Sequence, residues 1–163
     1  ILPLIEPAVQ EKFGTNYEVV SIEEGLMEPI EGEEDYRFKG YIDLVLRTTD
    51  GKYHVIDWKT CSWGWGIRKK TDPMITYQLT LYKKFYAAKH GVDLSDIKTY
   101  FALLKRTAKK DNVEFVDVSS GNVRINNATK LLKRAISNIK KKRHIKNRLS
   151  CQGCQFYKTE HCV

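Results

Sequence analysis

The stretch that most restricts how this chain can fold is Gly40 to Thr60, GYIDLVLRTTDGKYHVIDWKT. Two apolar, β-branched runs flank Thr49-Asp50-Gly51, which predicts a β-hairpin. A three-residue loop needs a left-handed residue at its end, and Gly51 suits that position. This loop pairs Val45 with Val55 and Leu44 with Ile56, and it sets Asp43 across from Asp57. Strand residues alternate faces, so Asp57 and Lys59 share one face and Trp58 takes the other. Two carboxylates and an ammonium therefore converge on an otherwise apolar hairpin. Carboxylates so close repel each other unless a cation sits between them, and hard oxygen ligands favour Mg²⁺ or Mn²⁺. The competing reading is a half-exposed hairpin with scattered charges. Its apolar neighbours weigh against that, because unpaired charge is costly among them.

The 163 residues suit one α/β domain spanning 1–163, with residues 149–163 as a cysteine-rich tail. The chain begins with Ile1 rather than Met, which leads us to expect a missing N-terminal piece. No apolar run reaches membrane-spanning length and no secretory signal pattern is present, so an intracellular setting, without membrane association, is expected. The net charge of +8 is segregated. Every charged residue from Glu18 to Asp35 is acidic, and every one from Lys130 to Arg148 is basic. A basic stripe of that density favours a polyanionic partner over a merely solvated helix face.

Helical spacing of Ile1, Leu4, Ile5, Ala8, Val9 and Phe13 predicts a first helix, with Pro7 in its first turn and Gly14 as its stop. Tyr17–Ile30 reads as an edge strand. In the loop Cys61–Pro73, Trp63 and Trp65 flank glycine beside the basic run Arg68-Lys69-Lys70. They form either a stacking platform for bases or a hydrophobic lid. Met74–His90 is a helix capped by Gly91, with Gln78 and Tyr82 on one face. Strands Ile97–Leu104 and Val113–Val118 follow. A long helix starts at Asn126 or Asn127 and runs to about Leu149, with Ala128, Leu131, Leu132, Ala135, Ile136 and Ile139 as its inward stripe.

Three of the four cysteines, Cys151, Cys154 and Cys162, crowd the tail. The Cys-x₂-Cys pair encloses Gly153 in a tight turn, a metal-ligand pattern rather than a disulfide framework. The fourth ligand is open between Cys61, His161 and a cysteine upstream of Ile1. Thiolates suit both zinc and iron–sulfur clusters.

Gly40-Tyr41-Ile42-Asp43, Val55-Ile56-Asp57-Trp58-Lys59-Thr60 and Gln78-Leu79-x-Leu81-Tyr82 resemble, in order, the G-x-x-D, D-x-K-T and Q-x-x-x-Y motifs of the PD-(D/E)xK nuclease superfamily, within its RecB-like branch. The resemblance implies a restriction-endonuclease-like α/β core, a central mixed β-sheet flanked by helices. It implies a Mg²⁺- or Mn²⁺-dependent deoxyribonuclease, most often an exonuclease, acting in recombination, repair, replication or CRISPR-type end processing. Asp43, Asp57 and the Trp58 carbonyl would hold the metal, with Lys59 and an acidic residue of the first helix as further catalytic groups. Glu6 fits that interval best, ahead of Glu11. Gln78, Tyr82, Lys69 and Lys70 would bind DNA, and a helicase or recombination protein would be a partner. The tail is similar to that of CRISPR-associated RecB-like and AddB-type nucleases, including phage-encoded relatives, where cysteines hold a [4Fe-4S] cluster; structural zinc is the alternative. Other readings are a catalytically silent DNA-binding module, a restriction-type endonuclease, and a zinc-stabilised interaction protein without a nucleic-acid role.

Overall fold

A computed structural model describes residues 1–143 and 148–162. These form two compact units, Ile1–Leu131 and one that starts at Leu132. The first holds helix α1 (Leu2–Phe13), strands β1 (Tyr17–Ile30), β2 (Glu33–Thr48) and β3 (Tyr53–Cys61), helices α2 (Ile67–Thr71) and α3 (Pro73–His90), and strands β4 (Ile97–Lys105) and β5 (Val113–Asp117). Helix α4 (Asn122–Lys140) passes from the first unit into the second.

The five strands make one mixed sheet in the order β1-β2-β3-β4-β5. Neighbours are antiparallel except β3 and β4, which run parallel. That parallel step needs a crossover, and α2 and α3 supply it. The central strand β3 is buried on both faces, with Val55 and Ile56 fully enclosed and the polar His54 and Asp57 buried beside them, as a strand with helices over both faces requires. Loop Thr49–Gly51 closes β2 onto β3 as expected. Thr48 N–H donates to Lys52 O, Gly51 N–H donates to Thr48 O, and Gly51 has φ +79°. The pairs Leu44–Ile56 and Val45–Val55 are those the sequence predicts.

The two sheet faces carry different helices. On one, Val9 of α1 packs with Leu46, Ile56, Tyr100 and Ala102, flanked by Ile5, Phe13, Leu44 and Trp58. On the other lies α3, whose Tyr86 ring meets Tyr53 and whose Phe85 stacks on Phe38 at 4.3 Å. Asp72 caps α3 by accepting the Met74 N–H, Pro73 fills its first turn, and Gly91 ends it in the left-handed conformation.

Two helices differ from expectation in their bounds. Helix α1 starts at Leu2, so Pro7 lies in its interior rather than its first turn. Helix α4 starts at Asn122 and ends at Lys140. Asn126 and Asn127 therefore sit inside it. Burial of Ile125 and Ala128, together with the Ile125 N–H bond to Gly121 O, places the first turn earlier than the capping preference of asparagine would. Leu131 and Ile139 of the expected inward stripe are exposed. Lys146, in the basic stripe, lies outside the described residues.

Candidate active site

The sequence of β2 and β3 places Asp57 on the α3 side of the sheet, since Ile56 and Trp58 alternate towards α1. Asp57 is only 3% exposed. Its Oδ2 lies 2.6 Å from Lys59 Nζ, yet it has no hydrogen-bond partner among the described residues. The ammonium is close but off the line a hydrogen bond needs. Burial raises the Asp57 pKa above the ordinary carboxylate range; the Lys59 ammonium opposes this, and the nearby Asp43 charge adds to it.

Asp43 stands just past the end of the β2–β3 ladder, whose last pair is Leu44–Ile56. Its Oδ2 accepts the Trp58 N–H at 2.7 Å, taking the place of a strand partner. A strand residue's N–H and C=O point the same way across the sheet. The Trp58 carbonyl therefore also faces the side of Asp43, beyond the last ladder pair. The sequence brings Asp43 here through a change of face in β2. Leu44 and Leu46 pack towards α1, whereas Gly40, of the same parity, meets Tyr82 of α3. The strand turns over between them. Across from Asp43 stands Glu23, between the pairs Ile22–Leu44 and Glu24–Ile42. Its φ of +51° marks the same irregularity on β1.

Gln78 and Tyr82 meet as their spacing predicts, with Gln78 Nε2 donating to Tyr82 Oη at 3.1 Å. Tyr82 lies against Phe38 and over Gly40, where a Cβ would come within 2.6 Å of its ring. The first and third motifs are therefore in direct contact.

Other predicted residues sit elsewhere. Glu6 is exposed on α1, bonded to Gln10, and α1 covers the sheet face opposite Asp57 and Lys59. Among the described residues, no three Asp, Glu, His or Cys side chains gather into a metal-holding group, so Glu6 does not complete one with the two aspartates. Glu24 is committed to Ser21, Lys89 and His90. Lys70 pairs with Glu114, which Lys105 also approaches. Lys69 holds its ammonium 4.4 Å from the Trp65 ring centre. In the tail, Cys154 N–H donates to Cys151 O in the expected tight turn. Its cysteines are free thiols, and Cys154 and Cys162 are exposed. The tail as described thus has no assembled site that fits zinc or a cluster.

The carboxylate pair does fit a divalent ion. A buried carboxylate oxygen without a hydrogen-bond partner, a second carboxylate beside it and a carbonyl outside the ladder make an all-oxygen donor set suited to a hard cation.

The sequence matches the family model of the PD-(D/E)XK nuclease superfamily over residues 3–159. The chain belongs to that superfamily, whose nucleases generally use divalent metals such as Mg²⁺. Among solved structures, a protein from Eubacterium rectale provisionally assigned as an exonuclease is similar at 12% identity and a TM-score of 0.62. The match covers 100% of this chain and 59% of that one. The structure of SSO0001 is similar at 19% identity and a TM-score of 0.53, covering 95% of this chain and 64% of that one. Both show a shared fold, and the chain spans about three fifths of the length of each. No curated protein matches. Among the described residues, no helix is long and apolar enough to cross a membrane.

Proposed function

We propose that this nuclease is a Mg²⁺- or Mn²⁺-dependent deoxyribonuclease of the RecB-like branch, acting as an exonuclease in end processing, recombination or repair. The observation that carries the reading is the buried Asp57 Oδ2, without a hydrogen bond, beside Asp43 and Lys59. Asp43, Asp57 and the Trp58 carbonyl are the residues to hold the ion. When bound, such an ion supplies polarisation of the scissile phosphate and a more acidic water. Lys59, one-third exposed, orients the attacking water and offsets charge that develops on the phosphate oxygens. Its compact ammonium suits this role; the planar guanidinium of Lys59→Arg does not. Gln78 and Tyr82, fixed against Gly40, position the strand, and Lys69 adds a phosphate contact. Lys70 would first have to leave Glu114. For Glu6 the support is its sequence interval alone. A metal-bound tail, as cluster or zinc, likewise rests on the cysteine spacing, and the helicase or recombination partner on the resemblance.

The test is cleavage of an end-labelled oligonucleotide. Wild-type protein with Mn²⁺ cleaves it; Asp57→Ala and Lys59→Ala bind it but leave it intact. Wild-type rates in Asp57→Ala would sink the assignment. Linear and closed circular DNA compared side by side separate exonuclease from endonuclease.

A further inference from the structure

We propose that Glu24 is a positioning residue for the candidate site: joined to Ser21, Lys89 and His90, it clasps β1 and β2 where they turn over, and so keeps Asp43 on the Trp58 N–H. The clasp stands apart from the nuclease reading and rests on it only for what Asp43 then holds. Strand residues of one parity share a face, and residues i and i+3 lie on opposite faces about 10 Å apart. Strand β1 breaks both rules at Glu23. Ile22 pairs with Leu44, which packs towards α1, whereas Glu24 bonds to Lys89 and His90 of α3. Ser21 Oγ donates to Glu24 Oε2 at 2.6 Å, although the two are 3 residues apart. Glu23 lies between them at φ +51°. It stands across from Asp43, where β2 turns over as well. A side chain at a turnover belongs to neither face; that of Asp43 lies along the sheet and reaches the β3 backbone.

A glutamate in the left-handed conformation persists only where its surroundings over-determine it. Glu24 supplies that constraint. Its carboxylate is buried and, beside the Ser21 hydroxyl, accepts Lys89 Nζ at 3.0 Å and the His90 Nε2–H. Burial opposes its charge, but the bonds from Ser21, His90 and Lys89 hold its pKa below the ordinary range, so the clasp is charge-assisted. Lys89 Nζ also donates to Gly25 O at 2.8 Å, and the His90 ring lies on the buried Tyr86, centres 4.4 Å apart. Lys89 and His90 end α3, where the helix dipole favours the lysine's positive charge. The same helix holds Gly40 through Tyr82. Beyond the turnover, β1 and β2 are thus both fastened to α3.

The experiment compares the full chain with its Glu24→Gln variant, first by ¹⁵N NMR without metal and then by Mn²⁺ titration. A glutamine offers a single carbonyl to partners that otherwise share two carboxylate oxygens, so the clasp loosens. The Trp58 backbone amide signal then moves upfield and exchanges faster with solvent, while that of Val55, inside the ladder, stays in place. Mn²⁺ affinity falls about tenfold. Glu23→Gly takes the left-handed conformation without the side-chain cost, so added to Glu24→Gln it brings both readings back towards wild type. Should Glu24→Gln not fold, Ser21→Ala, at a half-buried site, makes the same comparison, with smaller shifts in the same direction. A Trp58 amide unmoved in the folded variant, or a double variant no nearer wild type than Glu24→Gln alone, overturns the inference and leaves the nuclease reading standing. A wild type that neither binds Mn²⁺ nor cleaves DNA removes the nuclease reading, while the metal-free Trp58 comparison still decides whether the clasp holds Asp43.

Discussion

Gly40→Ala is the sharpest perturbation this fold offers. A Cβ at residue 40 would lie 2.6 Å from Tyr82 Cε1 and 3.3 Å from Phe38 Cε1. Neither ring can retreat freely. Tyr82 is 7% exposed and held by Gln78, while Phe38 is stacked on Phe85. Overpacking of this kind costs about 1–3 kcal/mol. In a chain of this size that lowers Tm by roughly 2–12 °C, at about 2–4 °C for each kcal/mol. The clash is with a ring carbon, so Tyr82→Phe should not relieve it and Tyr82→Leu should. Urea unfolding of the single and double variants gives the coupling between the sites. A favourable coupling of about 1 kcal/mol or more is expected for Gly40→Ala with Tyr82→Leu and close to none with Tyr82→Phe. Gly40→Ala as stable as the wild type, or strict additivity with Tyr82→Leu, would refute the contact between the first and third motifs.

Three further outcomes follow from the site and its surroundings. Burial raises the Asp57 pKa, so this group stabilises the metal-free fold below its unfolded pKa and loses that contribution as pH rises through the folded value; Asp57→Asn should raise the metal-free Tm at pH 7, while abolishing cleavage. His54, buried between Thr48 and Tyr100, has its pKa pushed down to about 4 by burial. Its contribution is whole above the unfolded value of 6.5 and falls by up to about 3 kcal/mol as pH drops towards 4, which urea midpoints across that range should show in wild type and not in His54→Gln. Lys69→Ala should flatten the salt dependence of DNA binding by about one unit of slope, and Lys70→Ala by less, because Glu114 already engages Lys70.

The hairpin register was legible because loop length, Gly51 and the apolar pattern all require the same pairing. Asp57 and Lys59 followed from alternation alone. The turnover of β2 at Asp43 was not legible. It coincides with a glutamate at positive φ on the neighbouring strand, a conformation for which glutamate carries no local signal. The role of Gly40 was likewise hidden, since the ring it admits comes from α3, far along the chain. Trp63 and Trp65 look alike in sequence, yet one is exposed and the other buried against Phe101. Only the course of the loop after β3 separates them. Lys70 looked free because its partner, Glu114, is 44 residues away. Glu6 was placed by interval, and an interval does not say which face of the sheet a helix covers.

Asp43 and Asp57 are the proposed site of a divalent ion. Mn²⁺ titration followed by electron paramagnetic resonance tests it most directly, because bound ion loses the sharp signal of free Mn²⁺. Saturable binding by the wild type, displaced by Mg²⁺, is expected, with its loss in both Asp43→Ala and Asp57→Ala. Equal binding by wild type and the two variants would contradict it.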